Sequence, residues 1–162
     1  MKRLLFIVMF ALLNGLRYSL LAQLTDDFSD GDFTNNPTWS GETTDFSVTS
    51  GRLQLTSSGE NESHLTVANA LFGSVVWEFS VELDFNPSSG NRAFVYLASD
   101  QSDLESDLNG YYVLLGNSSD EIALYRQTAG SVSKLISTDD EVDKILDNSS
   151  NVVSVRVTRS TS

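Results

Sequence analysis

Apolar and polar residues alternate in short runs along most of this chain, most strictly over residues 75–85. There Trp77, Phe79, Val81, Leu83 and Phe85 fall on one side, and Glu78, Ser80, Glu82 and Asp84 on the other. A period of two sustained this long predicts an antiparallel strand with one buried and one wet face. The turn-forming run Asn86-Pro87-Ser88-Ser89-Gly90-Asn91 closes it. Residues 46–48 and 52–55 alternate on either side of Thr49-Ser50-Gly51, which predicts a hairpin. Residues 64–68 predict a short strand. Residues 92–99 and 110–116 are apolar on both faces and are expected to be central strands, the first covered on both sides. Residues 121–127, 131–136 and 152–158 complete the set, with Val153, Val155 and Val157 turned inward. Between them, 100–109 reads as an acidic loop with room for one helical turn. The stretch 139–148 reads as a short helix or a strand connection. No amphipathic helix, repeat or linker interrupts this series, and the pattern predicts an all-β fold, an antiparallel β-sandwich. Trp77, Phe79, Phe94 and Tyr111 are expected in its core.

The N-terminus departs from the pattern. Met1-Lys2-Arg3 is basic, 4–13 is almost unbroken apolar sequence, and Tyr18-Ser19-Leu20-Leu21-Ala22 ends in a small residue. This predicts a secretion signal over 1–22, cleaved before Gln23. Its apolar run is shorter than the roughly 20 residues a bilayer demands, and Arg17 interrupts it, so no membrane insertion is expected after cleavage. A buried N-terminal helix is the alternative. No cysteine follows the cleavage point, which excludes a lipoprotein anchor. Residues 23–162 are then one domain, secreted or displayed on the outer cell surface.

Charge narrows the partners. The chain has 10 Lys+Arg against 22 Asp+Glu, a formal net charge of -12. The signal removes three cations and no acid, taking -12 to -15. Such a balance opposes nucleic acid and anionic membranes, which need basic patches, and suits divalent cations as counterions. With no cysteine in an exported chain, burial alone must hold the fold. The chain stops at Arg159-Ser160-Thr161-Ser162, directly after an alternating strand. An uncovered edge there is a liability that native domains avoid, so the sandwich is expected to be incomplete at its C-terminus.

Three stretches carry a likeness: Asp26-Asp27-Phe28-Ser29-Asp30-Gly31-Asp32-Phe33 running to Pro37-Thr38-Trp39, the hairpin over 46–55, and the run over 77–87. With Asn109-Gly110-Tyr111-Tyr112 and Val155-Arg156-Val157-Thr158, they resemble the N-terminal domain of large secreted Bacteroidetes surface proteins, which often also carry lamin-tail domains. The resemblance covers 23–159 and implies a jelly roll of the concanavalin-A-like or laminin-G-like kind. It also implies a further Trp-containing hairpin and a last strand, with downstream domains of the same parent protein as partners.

Against that background, four chemistries are weighed. Laminarinase-type jelly-roll hydrolases carry Glu-x-Asp-x-x-Glu on one strand. Glu82 and Asp84 have the first spacing, but Pro87 occupies the third position. A retaining glycosidase needs two carboxyls about 5–5.5 Å apart, so no catalytic residue is expected, and a hydrolase-like enzyme is only a weaker alternative. The single histidine, His64, has no Gly-x-Ser-x-Gly elbow or cysteine to work with, and is expected to face solvent. Calcium is the metal the composition favours, at Asp26, Asp27, Asp30 and Asp32 around Gly31. The acids at 100, 103, 105 and 107 and those over 139–143 are lesser sites. Carbohydrate binding, the common use of the architecture, would draw on Trp39, Arg92, Tyr96, Tyr112, Tyr125 and Arg126, whose rings stack on sugars and whose polar tips read hydroxyls. Asn61, Asn117 and Asn148 lie in Asn-x-Ser sequons, which are chance in a bacterial protein. The expectation is a non-catalytic module for adhesion or for binding a polysaccharide or cell-surface glycan. A structural spacer with no ligand of its own is the alternative.

Overall fold

The computed structural model describes residues 23–59, 62–70, 73–138 and 144–161. The predicted secretion signal over 1–22 lies outside them. Among the described residues are ten strands: β1 Trp39–Gly41, β2 Phe46–Thr49, β3 Arg52–Leu55, β4 Leu65–Val67, β5 Val75–Leu83, β6 Ala93–Ser99, β7 Gly110–Leu115, β8 Ile122–Thr128, β9 Ser131–Ser137 and β10 Asn151–Arg159. The only helical piece among them is a 3-10 turn at Thr43–Asp45.

Two layers make the sandwich. β5 pairs with β10 antiparallel from Asn151↔Leu83 to Arg159↔Val75. β6, β7, β8 and β9 form a four-stranded antiparallel sheet in that order. The alternation of β5 and β10 turns Trp77, Phe79, Val81, Val153, Val155 and Val157 onto one side. They pack against a buried centre of Leu83, Leu97, Val113, Leu115 and Leu146, joined by Ala93, Val95, Ile122 and Leu124. Leu115 and Leu146 are 0% exposed. Each buried aliphatic side chain contributes about 1.5–3 kcal/mol, and this must suffice, since the chain has no disulfide.

Two smaller sheets, β1–β4 and β2–β3, complete the described fold. The β2–β3 hairpin turns on Ser50 (φ 54) and Gly51 (φ 71), the pair of left-handed residues that matches strand twist. At Gly41 (φ 137) any Cβ would meet the His64 carbonyl oxygen, so β1 can lie against the start of β4 only with glycine there.

The strands over 46–55, 64–68, 75–85, 121–127, 131–136 and 152–158 form as the pattern predicts, to within a residue or two at most ends. Three expectations fail. β6 is an edge strand, bound to β7 alone in the sheet order, not a central strand covered on both sides. Its two apolar faces have different causes, since Val95 and Leu97 join the core while Phe94 and Tyr96 join the aromatic residues on the opposite face. Phe94 and Tyr111 are not core residues but are 38% and 42% exposed. Phe94 points away from the core, and Tyr111 stands at the start of its strand. His64 is not solvent-facing. Its side chain is 19% exposed and its Nδ1 lies 3.1 Å from Glu42. Residues 100–109 form turns without a helix, held where Asn109 donates to both Asp100 carboxylate oxygens, from its backbone at 2.8 Å and its amide at 2.7 Å. Of the predicted 139–148 element, 144–146 is a turn and 139–143 lies outside the described residues.

Candidate functional site

On the four-stranded sheet, core-facing residues are Ala93, Val95 and Leu97 on β6, Val113 and Leu115 on β7, and Ile122 and Leu124 on β8. Period-two alternation therefore turns Phe94, Tyr96, Tyr112, Leu114, Ala123, Tyr125 and Gln127 to the other face. Register then brings three tyrosines into one row, because Tyr96 pairs with Tyr112 and Tyr112 with Tyr125. Their ring centroids are 5.0 Å and 5.2 Å apart, and Tyr112 and Tyr125 stack at an interplanar angle of 12°. Phe94 adds a fourth ring 5.5 Å from Tyr112. The Arg92 guanidinium lies 5.0 Å over Phe94, within cation–π reach.

The row is apolar at its centre and polar at its tips. Tyr112 is 6% exposed, while Tyr96 and Tyr125 are half-buried and Arg92 is exposed. The Tyr96 hydroxyl donates to Gln127 Oε1 at 3.0 Å across the intervening strand. Burial, then proximity to Tyr96 and Tyr125, pushes the Tyr112 hydroxyl up to about 12, against the opposing pull of Arg92. Burial and then the Glu62 charge raise Tyr96 as well. Both phenols therefore stay neutral and able to donate at ordinary pH.

Next to the row lies a polar anchor that pattern reading alone did not mark. Glu121, 2% exposed, accepts from Asn117 Nδ2 at 2.5 Å, from Lys134 Nζ at 3.1 and 3.2 Å, and from the Ser137 hydroxyl. Burial pushes its carboxyl up, but the bonds from Ser137, Lys134 and Asn117 outweigh that and hold it below the ordinary value. Lys134 pairs with Tyr125 in the ladder, so this ion pair, buried on the Glu121 side and open on the Lys134 side, borders the tyrosines. The signal was the alternation Glu121, Ala123, Tyr125, which puts an acid on the same face at the strand's start.

Of the six residues expected to bind sugar, Arg92, Tyr96, Tyr112 and Tyr125 come together. Two do not. Trp39 in β1 leans on Phe28, with ring centroids 6.2 Å apart, and its indole N–H donates to Asp26 at 2.8 Å. Arg126 pairs with Tyr111 in the ladder and is exposed on the opposite face of the sheet from Tyr125.

The aspartates proposed for calcium behave as turn formers. Asp26 accepts from Phe28 N, Asp27 from Ser29 N, Asp30 from Asp32 N, and Asp32 from Thr34 N. These are the self-satisfying bonds of Asx turns. Bonds from Asn35 and Thr34 lower Asp32 to about 2. Asp26, Asp27 and Asp30 border an open cleft of about 370 Å³ with Thr25, Ser29 and Asn36. Yet among the described residues no three acidic or histidine side chains are grouped to hold a metal. Glu82, half of the hydrolase-like pair, is ion-paired with Arg52.

No family model, curated protein or solved structure matches this chain.

Proposed function

We propose that this is a non-catalytic module, exported from a bacterial cell, that binds carbohydrate or mediates adhesion through the tyrosine-bearing face of the β6–β9 sheet, opposite the side packed on β5 and β10. The single observation that carries the reading is the row Tyr96–Tyr112–Tyr125 with Phe94 and Arg92 beside it. Aromatic residues gathered on the side of a sheet that does not face the core cost burial without contributing to that core. Sugar recognition uses such a surface, because pyranose C–H faces rest on rings while phenol and amide tips meet hydroxyls. Gln127 and the hydroxyls of the half-buried Tyr96 and Tyr125 supply those tips. A jelly-roll relationship to Bacteroidetes surface proteins fits this reading.

One observation favours the competing reading of a spacer without a ligand. Tyr112 is 6% exposed, and its neighbours already satisfy its ring, so the row also serves as a second small core. Retention of the purified protein on a panel of immobilised polysaccharides separates the two. Binding that falls roughly tenfold in Tyr125→Ala, about 1.4 kcal/mol, with an unchanged melting curve, supports the module. No retention on any polysaccharide leaves the spacer.

A further inference from the structure

Cations are scarce in this chain, where acids outnumber bases 22 to 10. Among the described residues, Arg52, Lys134, Lys144 and Arg156 each face a carboxylate, and Arg159 donates to the Gly73 carbonyl. Arg92 and Arg126 have no such partner there, and of the two only Arg92 lies beside the tyrosine row. Arg92 rests its guanidinium on Phe94, immediately before β6 and on the same face as Phe94 and Tyr96. A guanidinium seated over a ring keeps its N–H fork for other partners, and that fork accepts a planar or tetrahedral anion at two points. The cation also acts on the Tyr112 hydroxyl, which puts it beside the row. The chain's overall negative charge does not cancel this attraction at physiological salt, where the Debye length is about 8 Å.

We infer that the ligand of this face is an anionic sugar chain, bearing a uronate carboxylate or a sulfate ester, held by the Arg92 fork while its rings lie along the tyrosine row. This rests on the carbohydrate-binding reading above. The row also sets the ligand's direction. It runs across the strands, whose spacing is about 4.8 Å, so the chain crosses the sheet and meets the half-buried Tyr96 and Tyr125 on either side of the buried Tyr112.

Affinity electrophoresis with polygalacturonate, dextran sulfate and uncharged dextran tests this. The expected result is retardation by one or both polyanions and none by dextran. Arg92→Gln should weaken it at least tenfold, Arg92→Lys should recover only part of the loss, and Arg126→Gln, exposed on the opposite face, should leave it intact. Which polyanion retards the protein tells carboxylate from sulfate. Equal losses in Arg92→Gln and Arg126→Gln would mean diffuse charge attraction and overturn the inference. Retardation by dextran unchanged in Arg92→Gln would also overturn it while leaving sugar binding intact. No retardation by these or any neutral polysaccharide would remove both.

Discussion

Tyr112 shows how one side chain's surroundings become a measurable property of the protein. A tyrosine in the unfolded chain titrates near 10.0, whereas burial and the flanking phenols push Tyr112 to about 12. Its folded value is raised, so the neutral form is the one folding favours. The stability it contributes is fully present below pH 10 and is lost as pH rises from there through about 12. Denaturant unfolding should therefore give a midpoint that falls between about pH 10 and about pH 12, and Tyr112→Phe should flatten part of that fall. Spectrophotometric titration should show the Tyr112 tyrosinate appearing last, with Tyr96 also delayed. A Tyr112 that ionised with the rest would mean that the ring is not packed between Tyr96 and Tyr125. Glu121 works in the opposite sense. Its folded value is lowered, so its contribution is present above the ordinary carboxylate value and is lost as pH falls through the folded one.

Strand identity was legible because each strand carries its own periodicity. Trp77-Glu78-Phe79-Ser80-Val81 needs no neighbour to declare which side is wet, and Ser50-Gly51 declares its own turn. Position within a sheet is a different kind of information. β6 is apolar on both faces, as a central strand would be, yet lies at an edge, because its second apolar face belongs to the tyrosine cluster. The candidate site divides in the same way. Tyr96, Tyr112 and Tyr125 are visible as aromatics, but that they share a row depends on the β6–β7 and β7–β8 registers. A slip of one residue would scatter them to opposite faces. Trp39 and Arg126 have the same residue chemistry but lie apart from the row. Gly41 carries a constraint of this contextual kind, because its φ of 137 and the closeness of the His64 carbonyl both exclude a side chain. Gly41→Ala should cost about 1–3 kcal/mol of unfolding free energy. Gly31→Ala, with φ 80 but nothing within 4 Å of a new Cβ, should cost less. Equal shifts in denaturation midpoint would show that β1 does not press on the start of β4.

A net charge of -12 makes any divalent cation attractive to the molecule as a whole, but attraction and a binding site are separable. A calcium site needs six to eight oxygens at about 2.3–2.6 Å, and those oxygens must be free to converge. In the segment from Asp26 to Asp32 they are spent locally. Each carboxylate closes a turn on a backbone N–H two residues on, and Asp26 also holds the Trp39 indole. The depressed value of Asp32 has the same origin, since hydrogen bonds from Asn35 and Thr34 produce it without any cation. A specific site would raise stability by mass action, about 2.7 kcal/mol at a hundredfold excess over Kd. Diffuse charge screening acts alike for all ions of one valence. The melting temperature is therefore expected to rise equally in calcium and magnesium, and to match sodium chloride of equal ionic strength. A rise in calcium alone, abolished by chelator and by Asp30→Asn, would show that the turns open to let these acids converge.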